Sequence, residues 1–322
     1  MTPELMPVKP LHSSVSASTV GAVAHKIFEK QFSKFIKWEP EVLTDLDPEP
    51  LHQMRVTSRK LRTALQLFKP FILVKPSLYR DFFKVAKCLG IVRDLDVLKL
   101  RLQEFQIQPR VSLEEQAQLH LLMDAIDRIR QKRFKRLTKT LAGSTYKGLV
   151  HKCQDWFNAP KFHREAQWQT TLALPDLLMP FVHTWLNHPG WLAEETVLHE
   201  CSNNSKAMVD SDAIFHDLRK LTKQVRYQTE FFTAFYGPEL SVFISELKAI
   251  QERLGEQQDN VVFAAFLEKR LGTQWQTKVP SLAETLQQAQ GAFHSQWQPF
   301  RDLYLNAEVR GNRRSLLLSL SS

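Results

Sequence analysis

The spacing of apolar residues constrains the fold of this chain more than any other feature of the sequence. Long stretches carry apolar residues every three or four positions, the period that gathers side chains on one face of an α-helix. Alternating apolar and polar runs joined by Asn-Gly turns, which are typical of β-hairpins, do not occur. Only 10 glycines occur in 322 residues, so few positions favour a break in helical structure. The sequence therefore predicts an all-α fold.

The ends of several predicted helices have chemical reasons. Asp47 can accept hydrogen bonds from the free amides of a helix start, and Pro48 fits the first turn, where no backbone donor is required. Gly237 and Pro238 end another helix. The ten predicted helical segments are 17–38, 48–71, 77–105, 113–141, 146–157, 174–186, 212–236, 240–253, 260–271 and 281–305.

A segment rich in turn-forming residues divides the chain. Its turn formers are Pro160, Pro175, Pro180, Pro189 and the pair Asn203-Asn204. Such a composition is typical of short, broken helices that connect two larger units. The expected parts are a flexible tail at 1–16, a first helical half at 17–157, a linker at 158–211, a second helical half at 212–305 and a C-terminal tail at 306–322.

The chain is basic. Lys and Arg number 43 against 34 Asp and Glu, which gives a formal charge of +9 and a sequence pI near 9.4. A field of this sign attracts nucleic acid, acidic lipid or phosphate polymers. A lysine-rich solvated surface gives the same totals, so the arrangement of the charges has to decide between these interpretations.

The three cysteines, Cys88, Cys153 and Cys201, are odd in number and widely spaced, which indicates neither a disulfide framework nor a zinc site. This usage suggests a reducing compartment. The first twenty residues lack the pattern of a secretory signal, and no apolar run reaches the roughly 18 residues needed to cross a bilayer. We therefore expect a soluble, cytoplasmic protein.

Two segments of the chain share a pattern of basic residues. The segments 52–62 and 216–226 both read H-x-x-R-x-x-x-[R/K]-x-x-R, and they are separated by 164 residues. Further on, Leu89-Gly90 with Asp94 is echoed by Leu254-Gly255 with Asp259, at a separation of 165 residues. Two matches at nearly the same separation predict a duplicated helical unit.

Each basic segment places its cations on one side of a helix. The first basic row consists of His52, Arg55, Arg59 and Arg62, and the second basic row of His216, Arg219, Lys223 and Arg226. At about 100° per residue these side chains share a narrow arc, whereas Met54 and Leu61, or Leu218 and Val225, face another way. Such rows repel themselves by a few tenths of a kcal/mol per pair. An anion along each row would relieve that repulsion.

Internal neutralisation is the alternative. Arg93 or the row arginines can pair with nearby acids: Asp94, Asp96, Asp259 or Glu230. For single residues such pairing is as plausible as ligand contact. For the rows as a whole, few acids lie near them in the sequence. A repeating phosphate chain matches them better, because guanidinium groups bind phosphate oxygens through paired hydrogen bonds. Each histidine can instead serve only as a capping or packing residue.

Other side chains can extend such a surface. The additional candidates are Lys26, Lys30, Lys34, Lys60, Lys220 and Tyr227. A further basic group occupies the fourth predicted helix and comprises Arg128, Lys132, Arg133, Lys135, Arg136 and Lys139. We interpret this last group as an ordinary solvated face.

These residues resemble the CHAD family, the conserved histidine α-helical domain. Both basic rows match its paired motifs, Arg93-Asp94-Leu95-Asp96 is similar to its RDLD element, and Val225-Arg226-Tyr227 is similar to its L-R-Y segment. The resemblance extends over residues 25–271. In the second half Gln257 and Gln258 precede Asp259, so the acidic element is weaker there.

The resemblance implies a specific fold and ligand. The fold would be two helical bundles related by an internal pseudo-twofold repeat around a central basic channel. The ligand would be inorganic polyphosphate, bound without catalysis by the two basic rows. Polyphosphate granules and their proteins would be further partners, and the granule a further location, with no cofactor and no membrane partner.

Other functions give different patterns. The sequence contains no E-x-E-x-K signature of triphosphatases, no Walker loop, no G-x-S-x-G elbow and no H-E-x-x-H pair, so we expect no enzyme. Asp94 and Asp96 are more simply explained as partners of arginine than as metal ligands. RNA or DNA backbone binding remains open, as does an accessory role in polyphosphate or triphosphate metabolism.

Overall fold

The computed structural model describes residues 18–193 and 205–320. Within these ranges the chain is all-helical, and its only β contacts are two isolated bridges, Thr19 with Gln169 and Ile72 with Phe162. In chain order the helices are α1 (Val20–Lys37), α2 (Glu39–Thr44), α3 (Pro48–Leu67), α4 (Pro76–Gln106), α5 (Leu113–Ala142), α6 (Ser144–Asn158), α7 (Thr170–Leu186), α8 (Ser205–Glu230), α9 (Pro238–Leu271), α10 (Trp275–Lys278), α11 (Pro280–Leu305) and α12 (Ala307–Leu318).

The chain folds as two compact units. Unit 1 contains the residues up to Gln108 together with Leu119–Ala173, and unit 2 contains Pro109–Gln118 together with the residues from Leu174 onward. The division after Ala173 falls inside the segment in which the prolines predicted a linker, although that segment is partly helical. The N-terminal tail expected at 1–16 lies outside the described residues, whereas the expected tail at 306–322 contains α12.

Unit 1 is built around α3, which packs between α1 and α4. Asp47 caps the start of α3 by accepting a hydrogen bond from the amide of Glu49 at 2.8 Å, as the sequence predicts. Phe28 of α1 contacts the rings of Phe82 and Trp156, at centroid distances of 6.4 and 5.4 Å. On α3 itself, Met54, Leu61 and Leu65 are buried, so this side of the helix faces inward.

Unit 2 is built on the packing of α8 against α9. Trp185, Trp191 and Trp297 are fully buried, and the rings of Trp191 and Trp297 stack at 5.2 Å. The indole of Trp185 donates to Thr222 of α8 at 2.9 Å, so its polar edge is satisfied inside the core.

One predicted break between two helices is absent. The sequence indicates separate helices at 240–253 and 260–271, with Gly255 in the break. The structure instead has a single helix, α9, that passes through Gly255 without interruption. Glycine lowers helix propensity without ending a helix when tertiary packing supports it, and the site geometry below explains its presence.

No helix of the described residues is long and apolar enough to span a membrane.

Candidate anion-binding site

The first basic row lies on α3 in unit 1. Met54, Leu61 and Leu65 of the same helix are buried in the core, so the row is held by a fixed inner face. The side chain of Arg55 is 20% exposed. Its Nη2 donates to Oδ1 of Asp94 on α4 at 3.1 Å.

Arg55 lies against α4 beside Gly90. A Cβ atom at Gly90 would be 3.6 Å from Nε of Arg55, so the guanidinium group crosses the helix at the position where no side chain is present. Asp94, one turn further along α4, then holds the end of the group. Asp94 therefore positions the arginine, because a Cβ atom at Gly90 would make only an ordinary contact with it.

The second basic row lies on α8 in unit 2, and Arg219 is placed in the same manner. Its Nη2 lies 3.5 Å from Oδ1 of Asp259 on α9, and the side chain is 19% exposed. A Cβ atom at Gly255 would lie 3.2 Å from Nη2 and 3.4 Å from Nε of Arg219. The approach is closer than in unit 1, and a Cβ atom at Gly255 would require Arg219 or the helix to shift by a few tenths of an ångström.

Both units therefore contain the same local arrangement, in which an arginine crosses a glycine and meets an aspartate four residues further along. The residues that the sequence paired at separations of 164 and 165 also correspond in these contacts. The arrangement presents a guanidinium group with a fixed orientation. A guanidinium group carries five N–H donors, so the contact with one carboxylate leaves donors available to phosphate oxygens.

The remaining row members are held by varied contacts. Arg226 donates to Gln251 at 3.0 Å, forms an ion pair with Glu230 and lies over the ring of Tyr227, 4.6 Å from its centroid. Arg62 lies over Phe83 at 5.2 Å. Arg59 and Lys223 are partly exposed.

Internal pairing, which the sequence raised as the alternative to ligand contact, is present for three of the row arginines. Arg55, Arg219 and Arg226 all form ion pairs, and two of the partners, Asp94 and Asp259, come from neighbouring helices. These acids lie about forty residues away in the chain, and only the packing brings them to the rows. A phosphate ligand would therefore join arginines that are partly neutralised and already oriented.

The histidine of the first row is half-buried and surrounded by cations. Burial lowers the pKa of His52 below its ordinary value of 6.5, and Arg93, Arg55 and Arg59 lower it further, against a weaker opposing effect of Glu49. His52 is thus mainly neutral at pH 7. In unit 2, Nδ1 of His216 is buried and has no hydrogen-bond partner among the described residues.

The acidic pair of α4 holds two different arginines. Asp94 binds Arg55, whereas Asp96 accepts a hydrogen bond from Nε of Arg130 on α5. Arg130 also donates to both carboxylate oxygens of Asp45, at 2.8 and 2.7 Å. Within the residues that the structure describes, no group of three or more His, Cys, Asp or Glu side chains is placed to hold a metal ion.

The additional candidates are placed unevenly. Lys26, Lys30 and Lys34 are exposed on α1, and Lys60 is partly exposed on α3. Lys220 is paired with Asp217. Tyr227 is buried, so it packs beneath Arg226 and offers little surface to a ligand.

Two features of the sequence have an unexpected role in the site. Gly90 and Gly255 appeared only as matching letters of the repeat, but in the structure they are the positions that admit the arginines. Arg93 was considered as a possible partner of acids, but its positive charge also lowers the pKa of His52. No sequence signal identified Arg130 as the partner of Asp45.

Comparison with known proteins agrees with this architecture. The sequence model of the CHAD domain family matches residues 26–268, about three quarters of the chain. Two solved structures are similar. The CHAD domain from the plant Ricinus communis has 23% identity and a TM-score of 0.63, covering 98% of both chains. PptA from Streptomyces chartreusis has 16% identity and a TM-score of 0.58, covering 87% of this chain and 100% of that one. A comparison with curated proteins gives no match. The helical fold and the extent of the family match establish that this chain belongs to the CHAD domain family.

Proposed function

We propose that this protein binds inorganic polyphosphate through its two basic rows and does not itself catalyse a reaction. The observation that carries the proposal is the repeated placement of an arginine over a glycine, with an aspartate fixing its orientation. A guanidinium group held in this way loses little conformational freedom when it binds phosphate. Regularly spaced cations along a helix suit a polymer of regularly spaced anions better than a single small anion.

The proposal extends to the arrangement of the rows and to the location of the protein. A pseudo-twofold repeat with one central channel lined by both rows remains a prediction, as do the cytoplasm and polyphosphate granules as its location. The matching contacts within the two units support a duplication.

The test removes one oriented arginine from each row. Arg55→Gln combined with Arg219→Gln should weaken polyphosphate binding about 100-fold, because each lost charge-assisted hydrogen bond contributes about 1.5 kcal/mol. Glutamine retains an amide that can donate to Asp94 or Asp259, so the helices should stay folded by circular dichroism. Calorimetric titration with polyphosphate measures the affinity.

A matched control has the same change in charge. Lys84 and Lys269 are exposed, one in each unit, and lie outside the rows. Lys84→Gln combined with Lys269→Gln should bind polyphosphate within a factor of about two of the unaltered protein, because distant surface charges are screened. Equal losses in the two double variants would contradict a defined site.

Two other functions make different predictions. If the rows serve RNA or DNA, an excess of RNA should displace polyphosphate readily at physiological salt. If the protein is an enzyme of phosphate chains, incubation with long polyphosphate and a divalent metal should shorten the chains on a gel. An accessory role in polyphosphate or triphosphate metabolism would retain binding and require a separate catalytic partner.

A further inference from the structure

The charges of α5 are segregated along the helix. Residues 113–127 contain four acids and no lysine or arginine, whereas residues 128–142 contain seven lysines and arginines and no acid. All of 128–142 belongs to unit 1. A helix with a merely solvated surface ordinarily intersperses both signs, because opposite charges three or four residues apart stabilise it.

Most of these cations share one face. At about 100° per residue, five of the seven fall within an arc of about 100°, and they extend over roughly 16 Å of helix. These five are Arg128, Lys132, Lys135, Arg136 and Lys139, and we call them the α5 row. All five are exposed, whereas Leu137 and Leu141 on the opposite side are buried.

The α5 row differs from the two basic rows in its lack of internal partners. Across 18–193 and 205–320, no acid forms an ion pair with any of its five members, and their side chains make no hydrogen bond to a described residue. By contrast, Arg55 and Arg219 are held by aspartates. Arg130, which points inward from the same helix, is fully engaged by Asp45 and Asp96.

The helix dipole does not account for the row. Cations near a helix C-terminus are favourable, but the effect is confined to the last turn. Only Lys139 lies in the last turn of α5. Lys132 lies three or four residues from three other members, so the row repels itself along most of its length.

We propose that the α5 row is a second polyphosphate-contacting surface, which engages the parts of a long polymer that extend beyond the two basic rows. This inference rests on the proposed function, since the ligand is the same. The row stands on an exposed helix face without a cleft, so it suits weak, salt-sensitive contacts to a polymer that is already bound elsewhere. Such contacts raise affinity through effective concentration.

The chemistry of the face favours polyphosphate over nucleic acid. Single-stranded nucleic acid is usually bound by cations together with exposed aromatic rings, on which bases stack. The one aromatic residue of 128–142, Phe134, is partly buried and lies against Arg130. The α5 row therefore offers cations to phosphate, and residues 128–142 offer no exposed aromatic ring on which a base could stack.

The test compares polymers of two lengths. The α5 variant carries Lys132→Gln, Arg136→Gln and Lys139→Gln, and its control carries Lys69→Gln, Lys84→Gln and Lys87→Gln, three exposed lysines of unit 1 with the same total charge. Each is titrated with linear polyphosphate of a few phosphates and with polymer on the order of one hundred phosphates.

We expect the α5 variant to lose about tenfold in affinity for the long polymer and less than twofold for the short one, with the control unchanged for both. Equal affinities of the α5 variant and its control for the long polymer would overturn the inference. So would an equal loss for both lengths.

Failure of the proposed function gives a different result. In that case Arg55→Gln with Arg219→Gln leaves both lengths bound, whatever the α5 variant does. Nucleic acid is tested with single-stranded oligouridylate: if the α5 variant loses oligouridylate while it retains long polyphosphate, the row serves nucleic acid and the inference is wrong.

Discussion

Gly255 determines how closely Arg219 can approach α9. A Cβ atom there would lie 3.2 Å from Nη2 of Arg219, which is tighter than ordinary contact, so either the arginine or the helix would have to shift. The corresponding atom at Gly90 would lie at an ordinary 3.6 Å from Nε of Arg55. The two glycines are thus a natural pair for testing whether the position of the guanidinium group matters.

We expect Gly255→Ala to weaken polyphosphate binding about tenfold, the equivalent of one misplaced charge-assisted hydrogen bond. Gly90→Ala should change the affinity by less than about twofold. Both variants should stay as stable as the unaltered protein or gain up to about 1 kcal/mol, because alanine favours helix. Calorimetric titration measures the affinity for polyphosphate, and thermal unfolding measures the stability. Equal affinities of the two variants would show that the placement of Arg219 is unimportant.

His52 should couple polyphosphate binding to pH. Its pKa lies below 6.5 because burial disfavours the charged form and because Arg93, Arg55 and Arg59 are nearby. A phosphate chain along the first basic row would raise this pKa, so binding takes up a proton and strengthens as pH falls below about 6.5. Without ligand, the free energy of unfolding changes with pH in the opposite sense. The unfolded chain binds the proton more readily than the folded protein, so the protein becomes less stable as pH falls below about 6.5.

The coupling is measured by titrations between about pH 5.5 and about pH 7.5. His52→Gln should flatten the dependence of affinity on pH. His151, which is exposed on α6, provides the control, and His151→Gln should keep the profile of the unaltered protein. A profile that is the same in all three proteins would exclude His52 as the coupled group.

At the scale of elements, Arg130 connects α5 to α4 and to the turn between α2 and α3. Its guanidinium binds Asp96 of α4, which is 8% exposed, and both oxygens of Asp45, which has a left-handed φ of 54°. Asp45 stands two residues before the cap of α3. Arg130 therefore ties the turn that precedes the helix of the first basic row to α4 and α5.

Loss of this arginine should be costly. Arg130→Gln should lower the free energy of unfolding by about 3 kcal/mol, because it leaves the buried carboxylate of Asp96 without the arginine to which it is hydrogen-bonded. Asp96→Asn should lower it by only about 1 kcal/mol, since no unpaired buried charge remains. Urea unfolding measures both. If the two variants are equally stable, the ion pair contributes no more than a neutral hydrogen bond.

Local sequence signals predicted the elements better than their partners. Asp47 and Pro48 fixed the start of α3, since capping depends on adjacent residues. The sequence predicted a break in α9 around Gly255, and this prediction was wrong. The sequence does not show that an arginine from α8 occupies the space beside this glycine. The helix over Ala307–Leu318 was missed, although Asn306 caps it by accepting from Glu308 and Val309.

At the scale of the whole molecule, the excess positive charge is organised rather than spread. Each basic row forms one side of a helix whose other side is buried, and the α5 row occupies a third helix face. The sequence supplied the residues of these rows, because helical periodicity is a local property. It also named Asp94, Asp259 and Glu230 as possible partners, and all three form ion pairs with row arginines. It could not show that packing brings Asp94 and Asp259 to arginines about forty residues away in the chain.

The salt dependence of binding measures how many of these charges a ligand contacts. The two basic rows contain six permanently charged side chains, so the slope of log affinity against log salt should not exceed about −4 for a short polyphosphate, at about −0.7 per contact. Arg55→Gln with Arg219→Gln should make the slope shallower by about 1.4. Because Arg55, Arg219 and Arg226 are partly neutralised by acids, the measured slope should fall below this limit. An unchanged slope in the double variant would mean that the polymer binds elsewhere on the protein.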